Sequence, residues 1–269
     1  MRRRVATLFV VCASILVIGS PAFAQRGGGG RGGNNFTPTG PFDPHDLSGV
    51  WRGGNEYMGT PAPPMTAWGK AQFDANKPSY GPRAVPPAVG NDPLGRCDPQ
   101  GYPRVMFYGL REFFQVPGRM LQVFEWNRVY REVWTDGSAL PEDPDPRWLG
   151  WSSGHWEGDT LVVNSIGFDD RTWLDHFGNP HSDEMKLEER YHRVDKGTIE
   201  LTMKIDDPKT YTKPWVSSKL ILKLQPPDFK LREEFCVPSE EEDFNKGVRD
   251  PAGKNVPVIP VPPKQTSSK

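Results

Sequence analysis

From Val105 to Phe235 the chain is a series of short apolar runs broken by turn residues, and no other feature restricts its fold as strongly. VMFYG (105–109) and EFFQV (112–116) lead to Pro117-Gly118, and MLQVFEW (120–126) and VYREVW (129–134) lead to Asp136-Gly137. Glu157-Gly158-Asp159 then turns into TLVVNSI (160–166), and Asp195-Lys196-Gly197 joins KLEERYHRV (186–194) to TIELTMKI (198–205). Such spacing predicts antiparallel hairpins. In 198–205, Ile199, Leu201, Met203 and Ile205 alternate with Thr198, Glu200, Thr202 and Lys204, the period of a half-buried strand. KLILKL (219–224) and FKLREEF (229–235) repeat the alternation across Pro226-Pro227. About ten strands approach the limit of an open twisted sheet. The expected fold is therefore mainly β: an antiparallel meander closed into a lipocalin- or calycin-like barrel, or split into a sandwich.

The rest of the chain is loop-rich. Gly 28 and Pro 29 make up roughly a fifth of the 269 residues, against a usual ~12%. Between Lys77 and Gln100 they recur every few residues, which predicts a long extended connection on the surface. One short helix is expected over 63–73, capped by Thr66. Leu47 to Arg52 reads as a first strand in which Trp51 plugs one barrel end. The net charge of −1 lacks the basic excess that marks nucleic-acid binders.

Arg2, Arg3 and Arg4 precede an apolar segment, Val5 to Ile18, and then Pro21-Ala22-Phe23-Ala24-Gln25. That is the pattern of a secretory leader, 1–24. Its apolar part is shorter than the ~20 residues of a spanning helix, so an exported protein without a stable membrane span is expected, in the periplasm or outside the cell. Residues 25–42 read as a flexible Gly-rich linker, 43–250 as a single β domain and 251–269 as a Pro-rich disordered tail. Cys12 leaves with the leader. Cys97 and Cys236 remain, either as a disulfide between an early loop and a late strand or as two buried thiols.

Chemistry concentrates between Asp169 and Glu184, in a connection longer than a hairpin needs. Three readings of it are open. His176 and His181 with Asp175 or Glu184 could bind a divalent metal. His181 could act as general acid or base, oriented by Asp175 or Glu184, in a hydrolase or lyase. Alternatively, these residues form ion pairs and loop caps. In 186–194, Leu187, Glu189 and Tyr191 share one face and Glu188, Arg190 and His192 the other. Nine Trp raise the question of sugar stacking, but Trp51, Trp126, Trp134 and Trp215 read as core. Trp148, Trp151, Trp156 and Trp173 remain as ligand-facing options, and Asp170, Arg171, Arg190 and Tyr191 join Trp156 and Trp173 as candidate binding residues. There is no G-x-S-x-G, phosphate loop, C-x-x-C or H-E-x-x-H, and the cofactor is left unknown.

GHWEGDTLVV, GFDDRTWLD, GNPHS, ERYHRVD and TMKIDDPKTYTKPW resemble a large family of exported bacterial proteins of uncharacterised activity, over Leu47 to Val248. The resemblance implies a secreted, predominantly β, lipocalin-like protein. It also implies that Trp173, Asp175, Gly178, Pro180, His181 and Ser182 recur while His176 varies, favouring His181 with carboxylates over a two-histidine metal site. The functional expectation is a small-molecule binding barrel, with the hydrolase or lyase and a structural envelope protein as alternatives.

Overall fold

The computed structural model describes residues 36–54 and 57–254. The expected leader, most of the Gly-rich stretch and residues 255–269 lie outside the described residues. The strands are β1 Gly49–Gly53, β2 Leu110–Val116, β3 Arg119–Phe124, β4 Tyr130–Trp134, β5 Trp151–Glu157, β6 Thr160–Ile166, β7 Lys186–Asp195, β8 Thr198–Asp206, β9 Trp215–Val216 and β10 Leu220–Leu224. Consecutive strands pair from β1 to β8, and β10 pairs with both β8 (Leu220 opposite Leu201) and β1 (Leu224 opposite Trp51). Nine strands thus close a barrel, and β9 adds a short rung beside β8. The open sheet edges are removed by closure. One joint differs from the rest: β4 and β5 run parallel and share a single pair, Trp134 with Ser153.

Alternation decides what fills the interior. Ile199, Leu201, Met203 and Ile205 of β8 are fully buried, as their period requires. Trp51 is also fully buried, and its indole N–H donates to the Leu47 carbonyl at 2.9 Å. On β7 the same alternation carries Leu187, Glu189 and Tyr191 inward. A buried carboxylate is costly unless paired, and Arg131 from β4 meets Glu189 at 2.5 Å. The Arg131 guanidinium also donates to Gln122, Ser152 and Ser165, and lies 3.9 Å from the centre of the Tyr102 ring. Tyr191 donates to Glu189 at 2.6 Å, and Tyr102 donates to the same carboxylate oxygen. Burial and then the Glu189 charge hold both phenols well above their ordinary pKa. The middle of the barrel is filled by this network.

Three expectations are corrected. VMFYG is not a strand: Arg104–Phe107 forms a 3-10 turn, held by Arg111, whose guanidinium donates to the carbonyls of Met106, Tyr108 and Gly109. Residues 229–235 do not form a strand either, because the Glu125 carboxylate takes the Arg232 N–H at 2.8 Å and only a bridge between Glu234 and Trp126 is left. The C-terminal part of the expected β domain is helical, and the helix continues through 251–254, the start of the expected tail. Helix α2 (Pro238–Phe244, with α1 being Ala67–Ala75) runs through a wide turn, Asn245–Arg249, into α3 (Asp250–Lys254). Pro at the first turn followed by Glu240 and Glu241 favours that start. The end of the expected linker is likewise packed: Thr39 accepts from Lys196 Nζ at 2.6 Å, and Phe42 lies under Arg193.

Helix α1 forms as anticipated, with Thr66 Oγ1 accepting from Gly69 N at 3.0 Å. Gly69 cannot be replaced without a shift, since a Cβ there would lie 2.3 Å from the Thr210 carbonyl oxygen. Cys97 and Cys236 are joined in a disulfide. No helix among the described residues is long and apolar enough to cross a membrane.

Candidate functional site

The connection from Gly167 to Met185 folds as a small latch. Trp173 bridges Pro180, Leu174 N donates to the Asn179 carbonyl at 2.8 Å, and Asp175 accepts from Phe177 N, Asn179 N and Asn179 Nδ2. Asp175 is fully buried, and burial raises its pKa against those hydrogen bonds. Ser182 gives its N–H and hydroxyl to the two oxygens of Asp207, each at 2.7 Å, and Tyr211 donates to the Pro180 carbonyl. The two motifs GNPHS and DDPKTY therefore hold each other.

His181 is inside this latch at 1% exposure. Its Nδ1 faces the Ser182 carbonyl at 3.1 Å and its Nε2 faces Thr172 Oγ1 at 2.8 Å. A carbonyl only accepts, so Nδ1 carries the proton, while the Thr172 hydroxyl lies between Nε2 and the Asp169 carbonyl, 3.2 Å away. Burial lowers its pKa and so favours the neutral ring. Both ring nitrogens are satisfied by the loop, and Asp175 spends its oxygens elsewhere, so the expected His181–Asp175 couple is not assembled. Behind Thr172 stands Gly101, at φ 73°, where a Cβ would lie 2.4 Å from the threonine hydroxyl.

The other candidates are dispersed. Asp170 and Glu184 are exposed. Arg171 pairs with Asp169 at 2.5 Å and lies over Trp148, while Arg190 pairs with Glu157 at 2.6 Å on the outer face. Trp156 packs against His45, Trp173 is buried beneath Arg104, and Tyr191 belongs to the barrel interior. Among the described residues no group of three or more His, Cys, Asp or Glu side chains is gathered to hold a metal, so the set His176, His181 and Glu184 is not brought together.

Among the described residues, two of the cavities lie beside the barrel interior. The larger, about 640 Å³, is walled by the 79–108 connection, Trp126, His176 and the segment from Cys236 to Arg249. Its arginines donate within the protein, while Glu241 on the same wall makes no ion pair among the described residues. Arg104 makes a two-pronged pair with Asp92 at 2.9 and 2.6 Å and donates to His176 Nδ1 at 3.3 Å. Arg249 gives its donors to the carbonyls of Pro87, Gly90 and Gly95. Burial, then the Arg104 charge, pull the His176 pKa down to about 4, so the ring is neutral with its proton on Nε2, which has no protein partner. Tyr80, Phe107, Tyr108, Trp126 and Phe244 supply aromatic surface. The smaller cavity, about 470 Å³, sits at the β4–β5 joint, and Gln100 and Trp126 line both.

Of the residues singled out for catalysis, ligand or metal binding, His176 lines the larger cavity, and Trp148 and Trp151, read as ligand-facing options, line the smaller. Asp92, Arg104, Tyr80 and Tyr108 were missed because they are scattered through an irregular connection with no periodicity. The one signal was Cys97, whose pairing with Cys236 brings that connection to the C-terminal segment. A β barrel bearing cavities of this size is a fold suited to holding a small molecule. Compared with protein-family models, curated proteins and solved structures, the chain matches none.

Proposed function

We propose that the protein is an exported binding protein that takes an uncharged, mainly apolar small molecule into the 640 Å³ cavity. The observation that carries this reading is the cavity itself: aromatic walls, with Arg104 neutralised by Asp92 and His176 uncharged. A charged ligand would have to displace pairs the protein already makes, whereas an apolar one gains by leaving water. The volume falls within the ~300–1,000 Å³ of small-molecule sites. The Cys97–Cys236 bond ties the two walls together, so little ordering is left for the ligand to impose. The N-terminal leader pattern supports export.

The test is a thermal-shift screen of neutral aromatic and apolar compounds against the mature protein. A ligand present at 100 times its Kd should stabilise the fold by about 2.7 kcal/mol. Tyr80→Ala and Tyr108→Ala remove exposed rings from the wall and should weaken binding without lowering the unliganded Tm. Binding unchanged in both variants would place the ligand elsewhere and sink the proposal.

A further inference from the structure

The smaller cavity has a different chemistry. Trp126, Trp134, Trp148 and Trp151, four of the nine tryptophans, line it together with Tyr130. None of these indoles is fully buried, and Trp134 is 37% exposed. Core packing does not account for such a cluster. The rings are nevertheless held: Arg147 stacks 3.2 Å from the Trp151 ring centre, Arg171 lies 4.4 Å from that of Trp148 and Arg119 5.5 Å from that of Trp134. Trp151 also donates its indole N–H to the Asp145 carbonyl at 2.9 Å. Fixed, partly wet aromatic faces carry negative quadrupole potential and attract positively polarised C–H bonds.

The polar groups are of both kinds. Among the described residues, Gln100, 4% exposed, has an Oε1 without a partner, and the buried Nε1 of Trp126 has none either. One is an acceptor and the other a donor. Beyond Trp134 and Ser153 no further β4–β5 pair forms among the described residues. A ligand with C–H faces for the indoles and hydroxyls that both donate and accept meets all of these demands. A wholly apolar molecule here would meet neither group, and the apolar ligand of the larger cavity, whose wall they share, leaves both open to a polar one on this side.

We infer that the 470 Å³ cavity at the β4–β5 joint is a second binding site, for a neutral saccharide of one or two rings stacked on the tryptophans. Gln100 and Trp126 stand on the wall shared with the larger cavity, whereas Trp134, Trp148 and Trp151 line the smaller one alone.

The experiment is a titration of the mature protein with glucose, galactose, maltose and cellobiose, read by tryptophan fluorescence and calorimetry. Saturable binding is expected with a Kd of about 1 mM or tighter. Trp134→Ala and Trp148→Ala each remove one stacking ring and should weaken the affinity by about tenfold, the scale of an aromatic contact, with the fold intact by circular dichroism. Tyr80→Ala and Phe244→Ala, confined to the larger cavity, should leave it unchanged. Absence of saturation with all four sugars overturns the inference. So does sugar binding lost in Tyr80→Ala and Phe244→Ala but retained in Trp134→Ala and Trp148→Ala, which places the sugar in the other cavity.

Discussion

At the level of single residues, the interior is governed by one ion pair. Arg131 and Glu189 are 1% and 0% exposed, so neither has water to fall back on. Removing one partner strands the other, which costs about 3–5 kcal/mol, whereas replacing both with apolar residues costs less. Denaturant unfolding should therefore show Arg131→Met and Glu189→Met each strongly destabilised and the double variant less so than either. His176 carries a second prediction. Its folded pKa of about 4 lies below the ordinary 6.5, so between those values the unfolded chain holds more protons than the folded one. Stability accordingly rises with pH across that window and is lost as pH falls from about 6.5 to about 4, by roughly 3 kcal/mol. His181 acts with the same sign, while Asp175, whose pKa burial raises, acts with the opposite one. The His176 contribution is thus the difference in pH profile between the wild type and His176→Gln, which should be flatter.

At the level of elements, the strands that alternate cleanly were legible and the segments that do not were not. β7 and β8 follow from their period, and α1 from Thr66. VMFYG has strand composition, yet the carbonyls of Met106, Tyr108 and Gly109 turn to the Arg111 guanidinium, a contact with no local sign. The C-terminal helix did carry its signs, Pro238 and the glutamates after it, in a stretch expected to belong to the β domain. Its attachment supplies a prediction at this scale. The disulfide spans 139 residues, and closing so long a loop in the unfolded chain is worth about 2–5 kcal/mol. Reduction, or Cys97→Ser with Cys236→Ser, should lower stability by that amount in calorimetry. It should also weaken ligand binding in the larger cavity, whose two walls it frees.

For the molecule as a whole, the histidine-rich loop that looked like chemistry is a latch. Asp175, His181 and Ser182 meet their partners within the loop and on the 207–211 turn. Titratable side chains close in sequence suggested a site, but a buried loop must satisfy the same groups for stability alone. Tryptophans that read as core, Trp126 and Trp134, instead face a cavity. The amino-acid order by itself determined the β class, the near-complete strand set and the inward faces, because period two and turn residues act over a few neighbours. Only the tertiary structure decided that the sheet closes through β10, that β4 and β5 barely touch, and that residues 79–108 meet 236–249 around a cavity. Those outcomes depend on contacts between segments far apart in the chain, for which no local pattern exists.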